Sequence, residues 1–159
     1  MSRTYTLRRQ HDALKQLTQQ IISRMQRIDT RDDAMECART LAKLTGILQL
    51  HLAAEDNSLY PRLRASPDRR IAETARAFAE EMGGLATIYS EFVSEWPTGN
   101  AIFADPEGFR TQASLVFSAL ARRIGRENEE LYPLAEQADF TTATSLKDDG
   151  ARSPSSAIG

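Results

Sequence analysis

An internal disulfide is excluded at the outset, because the 159-residue chain has one cysteine, Cys37. A small core thiol in a reducing compartment is the simpler reading of that residue than a redox centre. Basic charge is not in excess either. Lys and Arg number 20 against 22 Asp and Glu, for a net charge of -2, so nothing marks a nucleic-acid partner. No apolar run approaches the roughly 20 residues that a membrane span needs, and the N-terminal MSRTYTLRRQHDALKQL lacks the apolar segment of a secretory signal. The expectation is a cytoplasmic protein with no membrane partner. Phosphate-binding glycine loops and nucleophile motifs are missing as well, which leaves an enzyme reading with little support. Hydrophobic residues make up 41%, enough over this length to bury a core without metal or disulfide staples, so a bound metal would serve function rather than folding.

What is present is helical spacing, with no alternation long enough for a strand. Leu7, His11, Leu14, Thr18, Ile21, Met25 and Ile28 form the stripe of a first helix. A second helix is expected to begin near Asp32 and Asp33, with Cys37, Leu41, Leu44, Leu48, His51 and Glu55 inward. Ser66-Pro67-Asp68 starts a third, serine capping, whose inner positions are Ile71, Ala75, Phe78, Glu81 or Met82, Leu85, Ile88 or Tyr89, and Phe92. Trp96 and Pro97 end it. Asp105-Pro106 starts a fourth, with Ala113, Val116, Leu120, Arg123, Glu127, Leu131 and Leu134 inward, after a longer connection, TGNAIFA. The fold class expected is all-α, an up-down-up-down four-helix bundle over residues 1–138. Residues 139–159, rich in Thr, Ser, Asp, Gly and Pro, read as a disordered tail.

The stripes are most informative where they stop being apolar. Both histidines of the chain, His11 and His51, fall on inner positions, as do Glu55, Arg123 and Glu127. An unpaired buried carboxylate costs several kcal/mol, so something positive belongs between these glutamates. His51 and Glu55 are four apart and share one helical face, which suits ligation of a single ion, with His11 arriving from another helix. Two imidazoles and one or two carboxylates suit iron or zinc. A capping or surface pair is the plainer alternative for His51 and Glu55 taken alone.

Two segments also repeat: HLAAEDNSLYP at 51–61 and RIGRENEELYP at 123–133. They align Glu55 with Glu127, Leu59 with Leu131, Tyr60 with Tyr132 and Pro61 with Pro133, but His51 with Arg123. Proline loosens a helix, so each Leu-Tyr-Pro is expected to close the bundle's end by packing. Tyr60 or Tyr132 donating a hydrogen bond to a metal ligand is the sharper alternative.

On QHDAL at 10–14, HLAAEDNSLYPRL at 51–63 and RIGRENEELYPLAE at 123–136, the chain resembles the hemerythrin-like, or HHE cation-binding, domain family over roughly residues 5–137. The resemblance implies a di-iron centre of histidines and bridging carboxylates, onto which His11, His51, Glu55 and Glu127 map. The third-helix histidine falls at about Met82 and the fourth-helix histidine on Arg123, so one half-site is kept and the other lost. This implies one iron or zinc ion per chain rather than two. Arg123, always protonated, would set its charge where the second metal would have been, pairing with Glu127, Glu55 or Glu81, or else would extend outward along its stem. Glu81, if it faces inward instead of Met82, would offer a further carboxylate ligand.

Three functions stay open: a metal-dependent sensory or regulatory module, a mononuclear iron protein reactive towards oxygen, and a metal-free helical module that binds a protein partner. Oxygen transport is disfavoured by the lost half-site. Ile102 and Phe103, next to Trp96, would cover the bundle's end or join two copies as a homodimer.

Overall fold

The computed structural model describes residues 4–139. Among these there is no strand, and the chain runs through α1 (Thr4–Met25), α2 (Arg31–Ala54), a π-helical turn (Glu55–Leu59), α3 (Tyr60–Arg64), α4 (Arg69–Met82), α5 (Leu85–Glu95), α6 (Gly99–Ala104), α7 (Pro106–Arg126) and a second π-helical turn (Glu127–Leu131). A final helical stretch covers 132–139. The tail expected from residue 139 begins at a residue still in helix, and the remainder lies outside the described residues. No helix among the described residues is long and apolar enough to cross a membrane.

The helix starts follow from side chains that satisfy free backbone N–H groups. The Thr30 hydroxyl accepts from the Asp33 N–H at 3.2 Å, while the Asp33 carboxylate accepts from the Thr30 N–H at 2.9 Å, a reciprocal capping box for α2. Asp105 caps α7 through the Gly108 N–H at 3.0 Å, with Pro106 in the first turn. For α4 the cap is Asp68, accepting from the Arg70 N–H at 2.9 Å. Ser66, expected in that role, instead accepts from the Asp68 N–H and shapes the turn before the helix.

The expected third helix is two. A Cβ at Gly83 would lie 2.5 Å from the Ala79 carbonyl oxygen, so the tight turn at Gly83-Gly84 admits glycine and separates α4 from α5. The segment expected as a connection, TGNAIFA, holds α6 instead, because the Thr98 hydroxyl accepts from the Ala101 N–H at 3.2 Å and opens a helix there. Ile102 and Trp96 are buried in the chain's own core, leaving Phe103 as the exposed member of that group, beneath the Arg31 guanidinium.

Both repeated segments widen into a π-helical turn. The Tyr60 N–H bonds the Glu55 carbonyl and the Tyr132 N–H bonds the Glu127 carbonyl, each five residues back. Pro61 and Pro133 follow. A proline has no N–H to donate and crowds the carbonyl four residues before it, and a wide turn accommodates both problems within a continuous helix. The consequence is that Leu59, Tyr60, Leu131 and Tyr132 are all buried.

Two apolar clusters result. The larger includes Leu14, Ile21, Leu44, Leu48, Phe92, Phe109 and Leu120; the smaller includes Leu7, Leu59, Leu63, Phe78, Met82, Leu131 and Tyr132. Along α1 the pattern passes from Leu7 to His11 to Leu14, and along α2 from Leu52 to Glu55 to Leu59. The inward polar residues therefore form a layer between the two clusters.

Candidate metal centre

His11 from α1, His51 from α2, and Glu55 and Glu127 opening the two π-helical turns place one donor atom each within 4.8 Å of one another. His11, Glu55 and Glu127 are 0% exposed and His51 is 1% exposed, so the cluster has no direct contact with water. The Nε2 atoms of His11 and His51 face each other at 3.0 Å. His51 Nε2 lies 3.2 Å from Glu55 Oε1, and His11 Nε2 lies 3.6 Å from Glu127 Oε1.

The orientation of both rings is fixed from behind. The Nδ1 atom of His11 is 2.8 Å from the Asn128 amide oxygen, and that of His51 is 2.9 Å from the Gln10 amide oxygen. An amide oxygen accepts, so each Nδ1 carries the proton and each Nε2 presents a lone pair. Two lone pairs meeting at 3.0 Å beside two carboxylates make a poor hydrogen-bonded arrangement but a good donor set for a cation. Burial pulls His11 down from 6.5 to about 4 against the raising effect of the Asn128 hydrogen bond, which keeps the ring neutral and able to ligate at neutral pH. Gln10 and Asn128 escaped the sequence reading. Their signal was adjacency to His11 and Glu127, and neither residue type is informative without the fold.

Each carboxylate also has other partners. Tyr132 donates to Glu55 Oε2 at 3.0 Å and Tyr60 donates to Glu127 Oε2 at 3.3 Å, so the tyrosines of the two repeats cross over to each other's glutamate. Tyr132 Oη is also 3.1 Å from His11 Nε2. Burial, reinforced by the neighbouring carboxylates, raises both phenols well above their usual range, so both remain donors.

Arg123, 4% exposed, lies across the two glutamates. Its Nη2 donates to Glu55 Oε1 at 3.0 Å, its Nε to Glu127 Oε1 at 3.3 Å, and its Nη1 to the Met82 carbonyl at 3.3 Å. Burial opposes its charge, but Glu127 and Glu55 outweigh that and raise the guanidinium above its ordinary value. With both carboxylates ionised the cluster would hold two negative charges against one positive. Burial and the hydrogen bond shared with Glu55 accordingly raise Glu127, which keeps a proton there. Glu55 is also pushed up by burial, but the hydrogen bond from Glu127 and the charge of Arg123 act against this and hold it below the usual carboxylate range.

Met82 is buried beside the guanidinium. Glu81 is at the surface, paired with Arg126, and is not among the four converging donors. One residue of helical phase separates the two, and the apolar face of α4 settles it in favour of Met82.

A helical fold with buried imidazoles and carboxylates converging on one point is the architecture of a cation-binding protein. Residues 2–135 match the hemerythrin HHE cation-binding domain, and the chain belongs to that family. Comparison with curated proteins and with solved structures yields no match.

Proposed function

We propose that the protein binds a single iron or zinc ion through His11, His51, Glu55 and Glu127, and that the ion serves a sensory or regulatory role in the cytoplasm rather than oxygen transport. The observation that carries this reading is the 3.0 Å approach of two imidazole Nε2 atoms, each with its Nδ1 already committed to an amide. With metal–ligand bonds of about 2.1 Å, neighbouring donors around an ion are about 3.0–3.4 Å apart, the spacing of the two histidines. A divalent ion would also offset the excess negative charge that otherwise requires a proton on Glu127. The ion would supply Lewis acidity and, if iron, a redox couple.

Arg123 supports a stoichiometry of one. It already spans Glu55 and Glu127 with a fixed charge, and a second divalent ion against it would meet direct repulsion. The bundle reading, four helices up and down with α4 and α5 as one broken member, is supported by α1 packing on α2 and on α7, and α5 on α7.

A second reading has its own observation. Every oxygen of Glu55 and Glu127 already has a protein partner, so both carboxylates are satisfied in a metal-free polar cluster of an interaction module. Metal content per chain after anaerobic loading with iron or zinc separates the two. One tight ion, lost in His51→Ala, supports the metal reading; no ion in the folded wild-type chain overturns it.

A further inference from the structure

Beside the guanidinium of Arg123 the structure holds a cavity of about 140 Å³. Arg123, Tyr60 and Met82 form its inner wall, Ala79 one side, and Arg64 and Asp56 its rim. The guanidinium of Arg123 has five N–H groups, of which Glu55, Glu127 and the Met82 carbonyl take three. Two are left over on a side chain that is 5% exposed, in a molecule whose buried donors are otherwise nearly all satisfied. Arg64 at the rim is exposed and forms no ion pair with any described residue, and the same holds for Asp56.

The repeat sharpens the point. Asp56 follows Glu55 as Asn128 follows Glu127, and Asn128 holds His11 by its Nδ1. On that side a planar imidazole packs beside the glutamates, whereas on the Arg123 side two guanidiniums, of Arg123 and Arg64, line a cavity.

We propose that this cavity binds a small planar oxyanion of the carboxylate class, of formate or acetate size, held by the spare N–H groups of Arg123 and by Arg64. A guanidinium donates in its plane and matches the two oxygens of a carboxylate, which selects a planar anion. The volume suits an anion of this size, and the carboxylate of Asp56 at the rim opposes anions of higher charge. The site does not depend on metal in the neighbouring cluster.

The test uses the full chain labelled with ¹³C at the methionine methyls, the Met82 signal being assigned by its loss in Met82→Leu. Sodium formate is titrated against sodium chloride at constant ionic strength. The expected result is a saturable shift of the Met82 methyl with formate alone, weakened about threefold to fivefold by Arg64→Gln, as for loss of one partly exposed charge, and abolished by Ala79→Leu, which fills the cavity. Arg64 is on the surface, so its variant folds whatever becomes of the cavity variant. An equal, unsaturating drift in both salts overturns the proposal. So does a saturable shift that neither substitution changes.

Discussion

The segments 51–61 and 123–133 build the same backbone and opposite chemistry. In each, a glutamate opens a π-helical turn, a leucine and tyrosine are buried, and a proline follows. In each, the residue four before the glutamate approaches it: His51 Nε2 lies 3.2 Å from Glu55 Oε1, and Arg123 Nε donates to Glu127 Oε1 at 3.3 Å. The tyrosines cross reciprocally. What differs is the inward group, an imidazole whose Nε2 faces the cluster in one half and a guanidinium, a permanent cation, in the other. The frame is therefore separable from the inward group that it carries.

The sharpest way to break this comparison is to remove the cation. Arg123→Ala leaves the buried Glu55 carboxylate without its fixed counter-charge and Glu127 without a donor, and the metal-free protein should lose about 3–5 kcal/mol, measured by urea unfolding. Added zinc should restore more stability to this variant than to wild type. Arg123→His with Met82→His restores imidazole to the second half and should raise metal content from one to two ions per chain; unchanged content in the folded double variant would count against the substitution argument.

Acid tests the imidazole half. His11 has its value lowered by burial from 6.5 to about 4, so between those values the unfolded chain binds a proton that the folded chain refuses. Stability of the metal-free protein from this group therefore falls as pH drops from 6.5 towards 4, by at most about 3 kcal/mol. Glu127, raised rather than lowered, acts in the opposite sense, so the His11 part is read as the difference in pH dependence between wild type and His11→Gln.

Smaller effects should follow from the groups behind the ligands. Asn128→Leu removes the acceptor for His11 Nδ1 and should weaken zinc binding about 10-fold to 100-fold, measured by competition with a chelator. Glu81→Gln should change stability by no more than about 0.5 kcal/mol and leave metal content unaltered, because its partner Arg126 is at the surface. Loss of metal in that variant would return Glu81 to the ligand set.

The helical class, the helix starts at Asp105 and near Asp32, and the inward phase of His11, His51, Glu55, Arg123 and Glu127 were all legible from spacing, because burial imposes a 3.6-residue period that the sequence displays openly. Other features were not. The break at Gly83-Gly84 depends on the carbonyl of Ala79, a contact of a few ångströms that composition does not carry. A choice between Glu81 and Met82 required the exact phase of α4, which that same break resets. The helix in TGNAIFA rests on one hydroxyl cap at Thr98. Gln10 and Asn128 were invisible because a polar residue beside a ligand becomes informative only when the facing helix is in place.

Anomalous diffraction from crystals loaded anaerobically with iron, collected at the iron edge, tests the single-ion claim most directly. One peak per chain between His11 and His51, within bonding distance of Glu55 or Glu127 and with Arg123 still spanning the glutamates, is the predicted result. Two peaks per chain, or one peak that displaces Arg123, would contradict it.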